Sequence, residues 1–221
     1  MALVVFDMAG TTVDEGNVVY KILHRSIVAA GFSCALDQVL AHGVGKEKRQ
    51  SIRDVLASDG RAVSPRQLEE IHQTFLGLLA VAYANLDVRP QPNAAAVFEA
   101  LKKRGIAVAL NTGYNQAIAE SLLRRLGWSV GREIDALVTA SQVRNCRPLP
   151  DMIRLAQMRL EISDPRAVAK VGDTTFDVEE GRNAGCGLCI AVTTGAHTRA
   201  QLAAAKPDAI IDDLEELLEM I

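Results

Sequence analysis

The chain has 221 residues, which is long enough for one large domain or for a large domain with a smaller companion. Hydrophobic residues make up 49% of it, which excludes general disorder, and the net charge of −3 gives no indication of binding to nucleic acid. No apolar stretch approaches the ~18 residues of a membrane helix, and the start has no signal-peptide pattern. We therefore expect a cytoplasmic protein without membrane association.

The first predicted element is a strand, and a helical insertion follows it. The run ALVVFD at 2–7 is apolar up to its last residue, which is typical of a strand buried on both faces. Only helical patterns occupy residues 14 to about 88, and the two prolines of LDVRPQPN at 86–93 predict a stiff hinge. We predict a core domain formed by residues 1–13 and 89–221 and a helical cap domain formed by residues 14–88. The helices predicted in the insertion are 17–32, 36–43, 46–58 and 64–86.

Strand and helix patterns alternate in the rest of the chain. Two of the helical stretches begin at the candidate N-cap residues Asn93 and Asn115. This alternation predicts an α/β fold with a doubly wound parallel sheet. The further predicted strands are 106–112, 135–140, 167–173, 187–193 and 208–213. The further predicted helices are 93–105, 115–127, 148–160 and 174–185.

Polar residues follow several of these strands. In an open α/β sheet, ligands bind at the carboxyl ends of the strands, where Asp7, Thr112 and Asp173 fall. Asp7 is a candidate nucleophile that would attack phosphorus and form an aspartyl-phosphate. Asp7 and Asp173, with Asp177 one helical turn further on, offer the hard oxygen ligands that Mg²⁺ prefers. The pattern therefore indicates phosphoryl transfer with Mg²⁺ as cofactor.

Two further groups complete this set. Arg147 would balance the charge on the phosphoryl oxygens, and Thr112 with the amides around Gly113 would hold them. Taken singly, each residue is also explained as a helix cap, a turn residue, an exposed side chain or an acid favoured by the helix dipole. The prediction depends on their joint order, because each group follows its own strand.

These motifs together resemble the haloacid dehalogenase superfamily. Its D-x-D-x-[TV] strand end, its Ser or Thr, its Lys or Arg, and its acidic G-D segment correspond to DMAGT at 7–11, Thr112, Arg147 and GDTTFD at 172–177. The resemblance covers essentially the whole chain. It implies a Rossmannoid core with a small α-helical cap inserted after the first strand, and a Mg²⁺-dependent aspartate mechanism.

Two departures from the common pattern resemble the phosphonoacetaldehyde hydrolase (phosphonatase) subgroup. Ala9 replaces the second aspartate, and Arg147 stands where lysine is usual. TGY at 112–114 and KVGDTTFDVEEGRNAG at 170–185 also match that subgroup. The resemblance implies that Ala9 gives its backbone carbonyl to the metal and that Asp177 stands behind the direct ligands. The residues expected to contact phosphate or substrate are Ala9, Gly10, Thr11, Gly113, Tyr114 and His42.

The alanine at position 9 matters because it has no proton to give. General acid–base help, worth ~10²–10⁴-fold in rate, is then missing at that position. In phosphonatases, a cap lysine forms a Schiff base with the substrate aldehyde, and the iminium draws electrons as the P–C bond breaks. Counting from Gly43, Lys46 fits the subgroup pattern, whereas counting back from Ile52 favours Lys48. We favour Lys46 and keep Lys48 as the alternative.

Three functions remain open at this point. The first is cleavage of the P–C bond of phosphonoacetaldehyde or a close analogue, so that the partner is a small-molecule phosphonate. The second is a phosphatase for a small phosphomonoester such as phosphoglycolate, which would need a substitute acid, for which Asp14, His42 and Tyr114 are candidates. The third is a non-catalytic phosphoacceptor or binding protein. The resemblance also suggests a homodimer formed through the apolar cap face at 19–32.

Overall fold

The computed structural model describes residues 1–85 and 88–221. The chain divides into two compact units, the first formed by residues 1–14 and 88–221 and the second by residues 15–87. Leu86 and Asp87 lie outside the described residues; the predicted hinge includes both, and the last predicted helix of the insertion includes Leu86. The assignment of the two units as catalytic core and cap stays a prediction.

The predicted strands and helices occur in the predicted order, and the structure adds two short strands at 13–14 and 89–90 and a helix at 199–204. The strands are β1 (Leu3–Asp7), β2 (Val13–Asp14), β3 (Arg89–Pro90), β4 (Ala107–Thr112), β5 (Ala136–Thr139), β6 (Val168–Gly172), β7 (Leu188–Val192) and β8 (Ala209–Ile211). The α-helices are α1 (Val18–Ala29), α2 (Leu36–Gly43), α3 (Lys48–Ala57), α4 (Pro65–Asn85), α5 (Ala94–Lys103), α6 (Gln116–Leu126), α7 (Asp151–Arg159), α8 (Thr175–Ala184) and α9 (Arg199–Ala204).

The first unit contains a parallel sheet. Within the described residues its strand order is β5-β4-β1-β6-β7-β8, and every neighbouring pair is parallel. The order runs in opposite directions on the two sides of β1, which is the topology of a doubly wound sheet. The predicted α/β fold class, including the helical insertion after the first strand, is confirmed.

The central strand β1 explains why the prediction from apolar runs succeeded. All five of its residues are buried, and it pairs with β4 on one side and β6 on the other. The Phe6 ring packs against Phe98 of α5 at 5.4 Å between centroids, and Phe98 packs against Trp128 at 5.1 Å. A strand covered on both faces must be apolar at every position, so the run needs no alternation.

A short ribbon carries the chain out of the sheet and back again. β2 and β3 pair in antiparallel fashion, with Val13 opposite Pro90 and Asp14 opposite Arg89. The Gln91 N–H donates to the Thr12 carbonyl at 2.9 Å and extends this pairing. The described part of the proline segment is therefore hydrogen-bonded to the chain that follows β1. Its role as a hinge stays a prediction.

The second unit is helical in its described part, as predicted. α1 packs against α2 and α4, and α3 packs against α2 and α4. Apolar residues at helical spacing form its interior, because each helix buries one stripe. The fully buried side chains include Leu23, Ile27, Ile52, Leu56, Ile71 and Leu79.

The two predicted N-cap residues differ in their side-chain contacts. Asn115 caps α6 as expected, since its Oδ1 accepts from the Ile118 N–H at 3.0 Å. Asn93 is the N-cap residue of α5, as predicted, although its side chain makes no capping hydrogen bond. Its Nδ2 donates to both carboxylate oxygens of Asp213, at 3.0 and 2.9 Å, a partner 120 residues away.

Among the described residues, no helix has the length and apolar character needed to cross a membrane.

Candidate active site

The carboxyl ends of two neighbouring strands and the start of the following helix bring the predicted acidic residues together. Asp7 ends β1 and lies opposite Asn111 of β4, and Asp173 directly follows β6. Asp177 lies in the first turn of α8. Carboxylate oxygens of Asp7, Asp173 and Asp177 lie within 4.8 Å of one another, and all three residues are buried. The strand register therefore assembles these acids at one edge of the sheet.

Arg147 lies between the carboxylates. Its Nη2 is 2.6 Å from Asp7 Oδ1 and donates to the Asn111 carbonyl at 3.0 Å. Its Nε donates to Glu180 Oε2 at 3.1 Å and is 3.3 Å from Asp177 Oδ1. Arg147 is only 7% exposed, so the alternative of an exposed side chain is wrong. Burial alone would lower its pKa, but the carboxylates of Asp177, Asp7 and Glu180 raise the pKa well above its ordinary value.

The sequence analysis missed three members of this network. Lys170 of β6 is 1% exposed, and its Nζ donates to Asn111 Oδ1 at 2.7 Å and lies 2.9 Å from Asp177 Oδ1. Asn111 Nδ2 donates to both oxygens of the buried Glu180 at 3.0 Å. A lysine inside the apolar run AVAKVGD was the available signal, since a charge in a strand covered on both faces needs buried partners.

The charges in this cluster favour a divalent cation. Among the described residues, the buried carboxylates Asp7, Asp173, Asp177 and Glu180 face the buried cations Arg147 and Lys170, which leaves an excess of two negative charges if all are ionised. Burial, followed by repulsion from Asp7 and Asp177, raises the pKa of Asp173 to about 8. Burial also raises the pKa of Asp7, against the lowering effect of Arg147.

The donor set also fits Mg²⁺. Asp7 and Asp173 supply carboxylate oxygens, and the half-buried Ala9 lies in the turn that follows Asp7. Asp177 Oδ2 accepts from the N–H of Thr174 at 3.2 Å and from its hydroxyl at 2.5 Å. Asp177 Oδ1 is buried without an aligned hydrogen-bond donor, although Lys170 Nζ is close. Asp177 is therefore both the second member of the capping box that begins at Thr174 and a member of the charged cluster.

The turn after Asp7 uses its backbone amides internally. The Gly10 N–H donates to the Val13 carbonyl at 2.9 Å, and the Thr11 N–H donates to the Met8 carbonyl at 3.2 Å. The Thr11 hydroxyl donates to Asp173 Oδ1 at 3.0 Å. These contacts orient Asp173, and the predicted contact of Gly10 and Thr11 with phosphate stays a prediction.

The other predicted phosphate ligands lie at the end of β4. Thr112 is its last residue and is buried, and its Oγ1 accepts from the Tyr114 N–H at 3.2 Å. Gly113 is half-buried and Tyr114 is buried. The Asn111 carbonyl next to Thr112 accepts from Arg147, which ties this strand end to the charged cluster.

The remaining predicted residues belong to the second unit. Lys46 forms an ion pair with Asp54. Lys48 is 8% exposed, donates from Nζ to the Lys46 carbonyl at 3.1 Å, and has its Nζ 5.3 Å from the centroid of the Tyr20 ring. His42, near the end of α2, is exposed. The two lysines therefore differ in environment, and the buried one is Lys48.

The fold and the site define a class of protein. The family model of haloacid dehalogenase-like hydrolases matches residues 1–185, and the chain belongs to this family of hydrolases. Within the family it is phosphonatase-like. It is 31% identical over 206 residues to a phosphonoacetaldehyde hydrolase of Nitratidesulfovibrio vulgaris (strain DSM 19637 / Miyazaki F), covering 87% of this chain and 71% of that one. The resemblance stated from the sequence motifs is confirmed.

Solved structures support the same fold. The chain is similar to a phosphonoacetaldehyde hydrolase-like protein of Oleispira antarctica, with a TM-score of 0.84, 24% identity, and coverage of 99% of this chain and 91% of that one. It is also similar to a predicted phosphoglycolate phosphatase of Haemophilus somnus 129pt, with a TM-score of 0.80, 19% identity, and coverage of 100% and 97%. Both likenesses concern the fold.

Proposed function

We propose that this hydrolase forms an aspartyl-phosphate at Asp7 and cleaves the P–C bond of phosphonoacetaldehyde or a close analogue, with Mg²⁺ as cofactor. Two observations together carry the proposal. Asp7 is buried 2.6 Å from Arg147, and alanine occupies position 9, where the usual acid would stand. A site that can attack phosphorus but cannot protonate a leaving oxygen suits a leaving group that departs on carbon.

Asp7 acts as the nucleophile. One of its oxygens contacts Arg147, so the other is oriented for attack on phosphorus. Bond formation from Asp7 to phosphorus breaks the P–C bond, whose electron pair leaves with the carbon. Water then hydrolyses the aspartyl-phosphate, so that phosphonoacetaldehyde and water yield acetaldehyde and phosphate.

The other groups bind and orient the phosphoryl oxygens. Thr112 and the amides around Gly113 donate hydrogen bonds to them, and Arg147 offsets their charge. Mg²⁺ held by Asp7, Asp173 and the Ala9 carbonyl would supply positive charge that reduces the repulsion between the carboxylate and the phosphoryl group. Lys170 and Glu180 hold Arg147 and Asn111 in place through the contacts described above.

A lysine of the second unit supplies the electron sink. Its neutral amine attacks the aldehyde carbon, water leaves, and the resulting iminium accepts the electron pair of the P–C bond to give an enamine. Protonation of the enamine carbon and hydrolysis by water then release acetaldehyde and the free amine. Lys46 was favoured from the sequence, but Lys46 would first have to leave Asp54. Lys48 is buried, its Nζ donates to the Lys46 carbonyl, and it interacts electrostatically with the Glu15 carboxylate. The burial of Lys48 and the ion pair of Lys46 with Asp54 favour Lys48 for the Schiff base.

Trapping with borohydride tests the proposal. The wild-type enzyme is incubated with phosphonoacetaldehyde and borohydride, and mass spectrometry locates the reduced adduct. Lys48→Arg and Lys46→Arg are matched variants, because each keeps a positive charge and removes the primary amine. We expect an adduct on Lys48 that Lys48→Arg abolishes and Lys46→Arg retains. Phosphate release without any adduct would contradict the Schiff-base mechanism.

A phosphatase for a small phosphomonoester is the second candidate. Of its three candidate acids, Asp14 and His42 are exposed, whereas Tyr114 is buried two residues after Thr112. Tyr114 is therefore the acid that the structure favours for this function. Ala9→Asp would restore the usual acid and should raise hydrolysis of phosphoglycolate if this second function is correct.

The homodimer through residues 19–32 stays a prediction.

A further inference from the structure

A segment that follows the matched motifs in the sequence contacts residues of the candidate metal site. The TTGAH segment, residues 193–197, connects β7 to α9 and lies after residue 185, where the family match ends. The sequence analysis gave it no function. His197 within it is buried, and the other four residues are half-buried.

The TTGAH segment contacts one proposed metal ligand, Asp173, and the residue next to another, Ala9. The Ala196 N–H donates to Asp173 Oδ2 at 2.7 Å. The Thr194 hydroxyl donates to the Gly10 carbonyl at 2.7 Å, on the peptide next to the Ala9 carbonyl. One segment therefore holds the carboxylate and the turn at the same time.

The fit around the Asp173 carboxylate is tight. A Cβ atom on Gly195 would lie 2.0 Å from Asp173 Oδ2, and one on Gly10 would lie 2.7 Å from the same oxygen and 2.9 Å from the Gly195 Cα. Gly10 also has a φ of +83°, which favours glycine. Two glycine backbones thus enclose one carboxylate, and a larger residue at either position would displace it.

The far end of the segment is anchored separately. His197 Nδ1 accepts from the Thr175 N–H at 3.1 Å, at the start of α8. The His197 N–H reaches the Asp173 carbonyl at 3.4 Å. The segment is therefore attached to the Asp173 side chain, the Asp173 backbone and α8, which limits its freedom to move away from the site.

We propose that the TTGAH segment is a positioning element for the divalent cation, with Thr194 as its key side chain. Asp173 receives one donor on each oxygen, from Thr11 on Oδ1 and from Ala196 on Oδ2, so its carboxylate plane is fixed. Thr194 holds the Ala9–Gly10 turn against this carboxylate. The inference rests on the proposed metal site, because it concerns how that site is held.

The experiment measures cation binding without substrate. Mn²⁺ is titrated calorimetrically into wild-type enzyme, Thr194→Val, Thr194→Ser and Thr198→Val. Valine keeps the shape of threonine but cannot donate to Gly10, whereas serine can. Groups that orient metal ligands typically contribute 10- to 100-fold in affinity, so we expect Mn²⁺ to bind about 10-fold more weakly to Thr194→Val and almost normally to Thr194→Ser.

Thr198→Val is the matched control. The Thr198 side chain caps α9 by accepting from the Gln201 N–H, and it lies just outside the segment. Its replacement should lower the melting temperature in EDTA without changing Mn²⁺ affinity. If Thr194 had a purely structural role, Thr194→Val would likewise lower the melting temperature and leave Mn²⁺ affinity unchanged. Wild-type Mn²⁺ affinity in Thr194→Val would therefore overturn this inference but not the metal site. Absence of Mn²⁺ binding by the wild-type enzyme would overturn the metal site itself and the inference with it.

Discussion

Replacing Arg147 tests the architecture of the site most directly. Its Nη2 is 2.6 Å from Asp7 Oδ1, and its Nε donates to Glu180 Oε2 at 3.1 Å. One guanidinium therefore links the proposed nucleophile to a buried carboxylate of α8. Lysine has a single nitrogen and can keep one side of this link, whereas methionine keeps neither.

The contacts that each variant removes determine the expected loss of unfolding free energy. Arg147→Lys loses one charge-assisted contact, which costs about 1.5–3 kcal/mol. Arg147→Met leaves Lys170 as the one cation in the described cluster, and breaking a buried ion pair in this way costs about 3–5 kcal/mol. Turnover of Arg147→Lys should also fall about 10²- to 10³-fold, as for the loss of one preorganised donor.

Urea unfolding and phosphate release measure the two effects. Unfolding is followed in EDTA, where no cation can compensate for the lost guanidinium, and the slope with urea must match that of the wild type for the free energies to be compared. Phosphate release is measured at saturating Mg²⁺ and substrate. If the unfolding free energy of Arg147→Met lies within about 0.5 kcal/mol of the wild-type value, the change is no larger than that of a typical surface substitution. Arg147 would then not pair with these carboxylates in solution.

Three further outcomes are expected. Asp7→Asn should lower turnover at least about 10⁴-fold, the scale of losing a nucleophile, and undiminished phosphate release would contradict the aspartyl-phosphate. In EDTA, stability should fall as pH rises from about 4 to about 8, because folded Asp173, with its pKa raised to about 8, keeps a proton that the unfolded chain has released above the ordinary value of 3.8. Asp173→Asn should make this slope shallower but not abolish it, because burial also raises the pKa of Asp7. A flat wild-type profile from urea unfolding would count against a buried, uncompensated Asp173. Lys170→Met should lower the free energy of unfolding in urea by about 3–5 kcal/mol, since Asp177 and Glu180 lose a buried cation. An unchanged free energy would show that Lys170 is not part of the network.

Several features of the site could be predicted because they depend on short stretches of chain. Asp7, Thr112 and Asp173 each follow an apolar run, and parallel strands bring such ends to one edge of the sheet. Their clustering therefore follows from the order of the elements. Asp177, one helical turn after Asp173, joins them because the first turn of α8 begins at that edge.

Other features depend on distant partners and could not be predicted. Lys170 and Glu180 meet Asn111 across 59 and 69 residues of sequence, so no local pattern relates them. The contrast between Lys46 and Lys48 is of the same kind. Two residues separate them on the chain, but one pairs with Asp54 and the other is buried over Tyr20.

By itself, the amino-acid sequence determined the α/β class, the order of the main strands and helices, and three of the four buried acids, Asp7, Asp173 and Asp177, because apolar periodicity and strand ends are local properties. Only the tertiary structure decided which charges share one buried volume. Arg147 and Lys170 neutralise part of a set of carboxylates drawn from separate strands and helices, and the TTGAH segment closes on Asp173 from beyond β7. Charge balance and ligand orientation arise from packing in three dimensions, since each depends on every group within a few ångströms, whatever its position along the chain.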